Sequence, residues 1–69
     1  MITVDKIQEQ IALAIEQSGL SQAALAQKVG VSQQSISFYL HKQKMPSLDT
    51  FANLCVVLDL DANDILCIR

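Results

Sequence analysis

The chain has 69 residues, of which 51% are hydrophobic, and it contains only two glycines and one proline. This length suits one small core, and the shortage of Gly and Pro indicates helices without linkers. No apolar run approaches the roughly 20 residues of a membrane span, and the first residues lack the pattern of a secretion signal. We therefore expect a single domain over residues 1–69, with Cys55 and Cys67 as reduced thiols in the cytoplasm.

Charge is unevenly distributed along the chain, whose formal net charge is −2 at pH 7. Residues 17–48 contain no Asp or Glu, whereas residues 1–16 and 49–69 are each net acidic. The cations of the central segment are Lys28, Lys42 and Lys44. The acidic balance, with a pI near 4.9, is unusual for a nucleic-acid-binding domain and favours a protein partner, whereas the acid-free central segment favours nucleic acid.

A first helix is predicted to begin near Thr3, which can cap it, although Asp5 is a competing cap. Its apolar residues recur with helical spacing. They are Ile7, Ile11, Ala14 and Ile15. Gly19 is expected to end this helix in the left-handed conformation.

Two short helices are predicted next, capped by Ser21 and Ser32 and joined by a tight turn at Gly30. Ala26 is small where the two helices must approach closely. The residues that face inward are Leu25, Val29, Val31, Ile36 and Tyr39. A glycine turn between two capped helices with these apolar positions is typical of the helix-turn-helix motif.

Residues 41–46 are predicted to form a loop, because Pro46 disfavours helix at Met45. Ser47 is expected to cap a fourth helix and Asp61 a short fifth helix. The residues that share the inward face of the fourth helix are Leu48, Phe51, Leu54, Cys55 and Leu58. The predicted fold class is therefore all-α, a compact five-helix domain.

The outward face of the third helix carries the candidate chemistry. Gln34, Ser37, Phe38 and His41 are spaced i, i+3, i+4 and i+7, and Gln33 is the first helical residue. A glutamine amide can pair bidentately with adenine, which favours base contact over ordinary solvation of both glutamines. Phe38 could contact a thymine methyl group, but it could also pack on the following loop or on a protein partner.

The segments SQAALAQKVGVSQQSIS and MPSLDTFANL resemble the Cro/CI-type (XRE) family, and most closely the small repressors of lambdoid phages. The resemblance extends from about Ile7 to Leu66. It implies a lambda-repressor-like DNA-binding fold and a transcriptional regulator, of which a repressor is the expected form. It also implies a homodimer on a palindromic double-stranded DNA operator, in a bacterial or phage-infected cell, with the third helix in the major groove.

The resemblance also implies roles for individual residues. Base contacts are expected from Gln33, Gln34, Ser37 and Phe38. Phosphate contacts are expected from Gln22, Ser32, His41, Lys42, Gln43 and Lys44, although His41 could be an ordinary surface residue. Lys28 is interpreted as solvated charge.

Two positions depart from the family pattern. Relatives often carry Arg and Glu in place of Ile15 and Leu40, so an apolar contact is expected here instead of a buried salt bridge. Relatives favour Gly in place of Lys42. Since a left-handed lysine is strained, the third helix is expected to continue for one or two more residues.

The last third of the chain is the expected dimer interface. Its apolar residues exceed what one small core can bury. The interface residues are predicted to be Val56, Val57, Leu60 and Ile68, with the alternative that the two valines only flank the core of a monomer.

Other functions find less support in the sequence. One histidine, no carboxylate in the central segment and no nucleophile beside a base argue against an enzyme with a small-molecule substrate. Cys55, Cys67 and His41 are too scattered for a zinc site, and no cofactor is expected. The alternative function is a helix-turn-helix scaffold that binds a protein, as an antitoxin or an antirepressor does.

Overall fold

The structure, a computed structural model, describes residues 1–68, and within that range it contains five α-helices and no β-strand. The helices are α1 (Val4–Gln17), α2 (Gln22–Val29), α3 (Gln33–Leu40), α4 (Leu48–Val57) and α5 (Ala62–Ile65). The predicted all-α class with five helices is confirmed. None of the described helices is long and apolar enough to cross a membrane.

Four helices begin at a side-chain cap that the sequence predicts. In each case a side-chain oxygen accepts a hydrogen bond from a backbone N–H group that would otherwise lack a partner in the helix. The N–H of Lys6 donates to Thr3, that of Ala24 to Ser21, that of Ser35 to Ser32, and that of Asn63 to Asp61. Thr3 therefore sets the start of α1, and its competitor Asp5 lies in the first turn.

Ser47 occupies the predicted cap position of α4, but its hydroxyl accepts no hydrogen bond from the helix backbone. It donates instead to Oδ1 of Asp49 and lies 3.1 Å from Oγ1 of Thr50. The Ser47 hydroxyl and the backbone N–H of Thr50 lower the pKa of Asp49 below its ordinary value. An ionised carboxylate in the first turn also interacts favourably with the helix dipole.

One cluster of apolar side chains joins all five helices. Leu25 and Ile36 are fully buried, and Leu54 is 1% exposed. The buried members are Ile11, Ile15, Leu25, Ala26, Val29, Ile36, Tyr39, Phe51, Leu54 and Ile65. Around this cluster α3 packs against α1 and α2, while α4 packs against α2 and α5 against α1. The predicted inward faces of the first three helices are confirmed, with Ile7, Ala14 and Val31 half-buried at the margin.

Three core positions qualify the pattern read from the sequence. Leu48 was expected on the inward face of α4, but it is 86% exposed. Leu48 is the first residue of the helix. Helical periodicity predicts the direction of its side chain, but not whether another helix packs against it. Ala12, outside the predicted stripe of α1, is buried. Leu40 is half-buried and packs against the core, so its predicted contact with buried Ile15 stays a prediction.

The end of α3 differs from the expectation at Lys42. The helix ends at Leu40, and Lys42 is left-handed, with φ = 61°. The N–H of Lys42 donates to the carbonyl of Tyr39, and the N–H of Gln43 donates to that of Phe38. Both bonds satisfy carbonyls at the end of the helix, and the left-handed backbone of Lys42 turns the N–H of Gln43 back toward Phe38. The prediction that the helix continues past this point is therefore wrong.

Cys55 belongs to the margin of the core. Its side chain is half-buried and packs against the buried cluster. Burial and the nearby charge of Asp61 raise the pKa of the Cys55 thiol. A raised pKa leaves little thiolate near neutral pH, so Cys55 serves packing and is a poor nucleophile.

Candidate nucleic-acid interface

The turn between α2 and α3 sets the angle of the candidate recognition helix. Gly30 is left-handed, with φ = 85°, as the sequence predicts. The N–H groups of Gly30 and Val31 both donate to the carbonyl of Ala26, at 2.8 and 3.1 Å. Ser32 then caps α3 directly. Because only Gly30, Val31 and Ser32 lie between the helices, α3 is held firmly against α2.

The two sides of α3 differ in exposure. Ile36 and Tyr39 are buried, whereas Gln33 and Gln34 are exposed. Both glutamines lie in the first turn of the helix, next to the turn that follows α2. Their amide groups are therefore presented together at one end of α3, with free capacity to donate and accept hydrogen bonds.

Phe38 lies one turn further along the same side and is half-buried. The Nζ of Lys44 is 4.8 Å from the centroid of its ring, a cation–π contact. The carbonyl of Phe38 accepts the N–H of Gln43 at 2.8 Å. Of the alternatives that the sequence leaves open, packing on the following loop is thus observed, while the thymine contact stays a prediction.

His41 is exposed at the end of α3 and bends back onto Ser37. Its Nδ1 lies 2.8 Å from the Ser37 carbonyl and 3.4 Å from the Ser37 hydroxyl. Because a carbonyl oxygen only accepts, Nδ1 carries the proton, and Nε2 of the neutral ring is an acceptor. In this tautomer Nε2 has no proton to donate to a phosphate.

Gln22 and Ser32 lie at the two helix starts that are expected to meet phosphates. Gln22 is half-buried in the first turn of α2. The Ser32 hydroxyl accepts from the N–H of Ser35 and lies 2.9 Å from the Ser35 hydroxyl. When the Ser35 hydroxyl donates to the Ser32 hydroxyl, the proton of Ser32 stays free to bond a phosphate oxygen. Ser35 was not predicted from the sequence as a partner of Ser32. Its position three residues after a serine cap is the signal that could have indicated this contact.

Lys42, Gln43 and Lys44 are all exposed in the loop after α3, but the two lysines have different surroundings. Lys44 lies over Phe38. Lys42 lines an open groove with Glu9 and Glu16 of α1. The sequence treats these lysines alike, whereas in the fold Lys44 lies over an aromatic ring and Lys42 lines a groove together with two glutamates.

A family comparison agrees with this arrangement. The family described as helix-turn-helix matches residues 11–65, which extend from the middle of α1 to the end of α5 and include the whole motif. No curated protein and no solved structure matches the chain. The chain therefore belongs to the helix-turn-helix family of the XRE type, whose members are DNA-binding transcription regulators.

Proposed function

We propose that the protein is a repressor that binds a palindromic DNA operator as a homodimer and reads its sequence with α3. The observation that carries this proposal is the exposed pair Gln33 and Gln34 at the first turn of a helix whose opposite side is buried. A helix presented in this way fits the major groove with its N-terminal residues toward the base edges. Occupation of an operator is sufficient to block transcription, whereas activation needs a further contact.

Residues on the outward side of α3 are proposed to make the base contacts. Each glutamine amide can accept from adenine N6 and donate to N7, a pair worth about 1–3 kcal/mol of discrimination. The Ser37 hydroxyl can donate or accept one turn further along. Phe38, which follows it, is the candidate for a thymine methyl group.

Phosphate contacts fall to the ends of the motif helices. The first turn of α2 presents backbone N–H groups and the positive end of the helix dipole, which favour a phosphate. The loop after α3 adds two exposed lysines. The proposed phosphate contacts are Gln22, Ser32, His41, Lys42, Gln43 and Lys44.

The homodimer is proposed to form through α4 and the segment after it. Val56 is 80% exposed and Ile68 is 59% exposed, while Val57 and Leu60 are half-buried beside them in the chain. Large apolar side chains left in water favour an interface. A two-fold pair through this surface would set the two α3 helices about 34–36 Å apart, one turn of DNA.

Selection of binding sites from random DNA duplexes at a stated salt concentration tests the function. We expect a palindromic consensus with two half-sites one helical turn apart. Lys42 and Lys44, with Lys28 in addition, would let a dimer neutralise on the order of 4–6 phosphates, so log K against log salt should have a slope of roughly −4 to −5. No consensus together with a slope near zero would instead support the protein-binding scaffold.

Lys42→Gly is expected to raise stability while it weakens binding to DNA. Glycine relieves the strain of the left-handed backbone, a gain of about 1 kcal/mol in the free energy of unfolding. Loss of the cation should reduce affinity for all sequences alike. Denaturant and operator titrations measure the two effects.

Lys42→Ala is the matched control, because it removes the same charge but keeps the strained Cβ. It should bind DNA like Lys42→Gly and be less stable. Equal stability of the two variants would show that position 42 carries no strain. Parent-like affinity of both would remove Lys42 from the phosphate contacts.

A further inference from the structure

Phe38 and Lys44 form a pair at the outer side of α3. The Lys44 Nζ lies 4.8 Å from the ring centroid, inside the roughly 6 Å within which a ring face attracts a cation. Phe38 belongs to α3, whereas Lys44 belongs to the loop after it. We propose that Phe38 is a positioning residue, whose ring holds the Lys44 ammonium beside the base-contacting side of α3, ready for a phosphate of the same half-site.

The backbone brings this loop back over the end of the helix. Lys42 is left-handed, and the N–H of Gln43 donates to the Phe38 carbonyl at 2.8 Å. Lys44 is the next residue, so its side chain begins close to the ring that it contacts. The loop is therefore joined to Phe38 twice, once through the carbonyl and once through the ring.

The contact matters because a lysine on a loop has many rotamers, and only some of them reach a given phosphate. A cation–π contact at an exposed site favours the held arrangement roughly two- to fivefold. The Lys44 side chain is then partly ordered before DNA binds, so binding costs less side-chain entropy. Phe38 follows Gln34 by one helical turn, so the ring that holds the ammonium lies one turn from a glutamine that is proposed to contact a base.

A phenylalanine that contacts a thymine methyl group directly would behave differently. Its loss would change the preference at one base pair, and the effect would not depend on Lys44. A positioning residue acts through the cation. Its loss should weaken all sequences alike, fade as salt screens the phosphate contact, and disappear when the cation is absent.

Because this role rests on the proposed function, the test is a double-mutant cycle on the selected operator. Phe38→Leu keeps an apolar side chain but removes the ring, and Lys44→Met removes the charge. We expect Phe38→Leu to weaken binding roughly two- to fivefold per half-site at low salt, and to have no further effect in the Lys44→Met background. Phe38→Tyr keeps the ring and should keep the coupling to Lys44, so that Lys44→Met has the same effect in its background as in the parent.

Lys28→Met provides the matched cycle, since Lys28 is an exposed cation on α2 and not on the loop that follows α3. Its effect should add to that of Phe38→Leu. In the free protein, NMR should show ring-current shifts of the Lys44 side-chain protons in the parent and in Phe38→Tyr, but not in Phe38→Leu. Circular dichroism confirms that each variant is folded at the assay temperature.

Additive losses from Phe38→Leu and Lys44→Met, or a loss confined to one base pair, would overturn the positioning role and leave the proposed function intact. A parent protein without any sequence preference would overturn both.

Discussion

Replacing Gln33 or Gln34 by alanine is expected to weaken binding to the best operator by about 1–3 kcal/mol per half-site and to relax the preference at one base pair. Both amides are exposed in the first turn of α3, so their removal leaves the core unchanged. The loss should come from base-edge hydrogen bonds that no other side chain replaces. Titration of the operator and of single base-pair variants measures both effects.

Gln27→Ala is the control for the same side-chain change. Gln27 is exposed on α2 and is not among the proposed contacts. It should bind every duplex like the parent. If Gln33→Ala and Gln34→Ala also kept full affinity and preference, α3 would not be the element that reads the bases, and the assignment of the recognition surface would be wrong.

Val56→Glu is expected to convert the dimer into a monomer and to cost most of the affinity for the full operator. A charge introduced at an apolar interface must be desolvated without a partner, which disfavours association. A monomer binds one half-site and loses the avidity of the linked pair, on the order of 100-fold or more. Light scattering and titration of full and half operators measure the two consequences.

Val56 is a better probe than Val57. Its side chain is 80% exposed, whereas Val57 is half-buried and packs against the core. Val4→Glu, an identical change at an exposed valine of α1, is the control and should stay dimeric. If Val56→Glu remained a dimer that occupies both half-sites, the interface would lie elsewhere on the molecule.

The starts of the helices were predicted well from the sequence, because a few adjacent residues decide where each helix begins. A hydroxyl or carboxylate cap needs only the next two or three N–H groups, and Thr3, Ser21, Ser32 and Asp61 all act as predicted. Ser47 shows the limit of such a signal. A stronger acceptor two residues later, Asp49, takes its hydroxyl.

Features that depend on a neighbouring element were harder to predict. The spacing of Leu48 gave its direction on α4, but nothing in the sequence shows whether another helix lies there. The end of α3 depended on two loop hydrogen bonds that offset the strain at Lys42. The preference of the family for glycine at position 42 indicated a left-handed backbone there. The strain of a lysine side chain in that conformation argued against it.

The candidate site was predicted as a set of residues but not as an arrangement. The exposure of Gln33 and Gln34 follows from helical periodicity alone. The contact between Phe38 and Lys44 does not, since it requires the path of the loop. Similarly, the tautomer of His41 follows from a bond to Ser37 that only the folded chain shows.

The central segment of the chain has no acidic residue, and its three lysines lie in the helix-turn-helix motif and the loop after it. We expect the field of DNA to favour an approach with the basic segment toward the duplex over one with the acidic last third toward it. A net charge of −2 also leaves little attraction to arbitrary DNA. Under the proposed function, this low attraction shortens the time that the protein spends at other sequences.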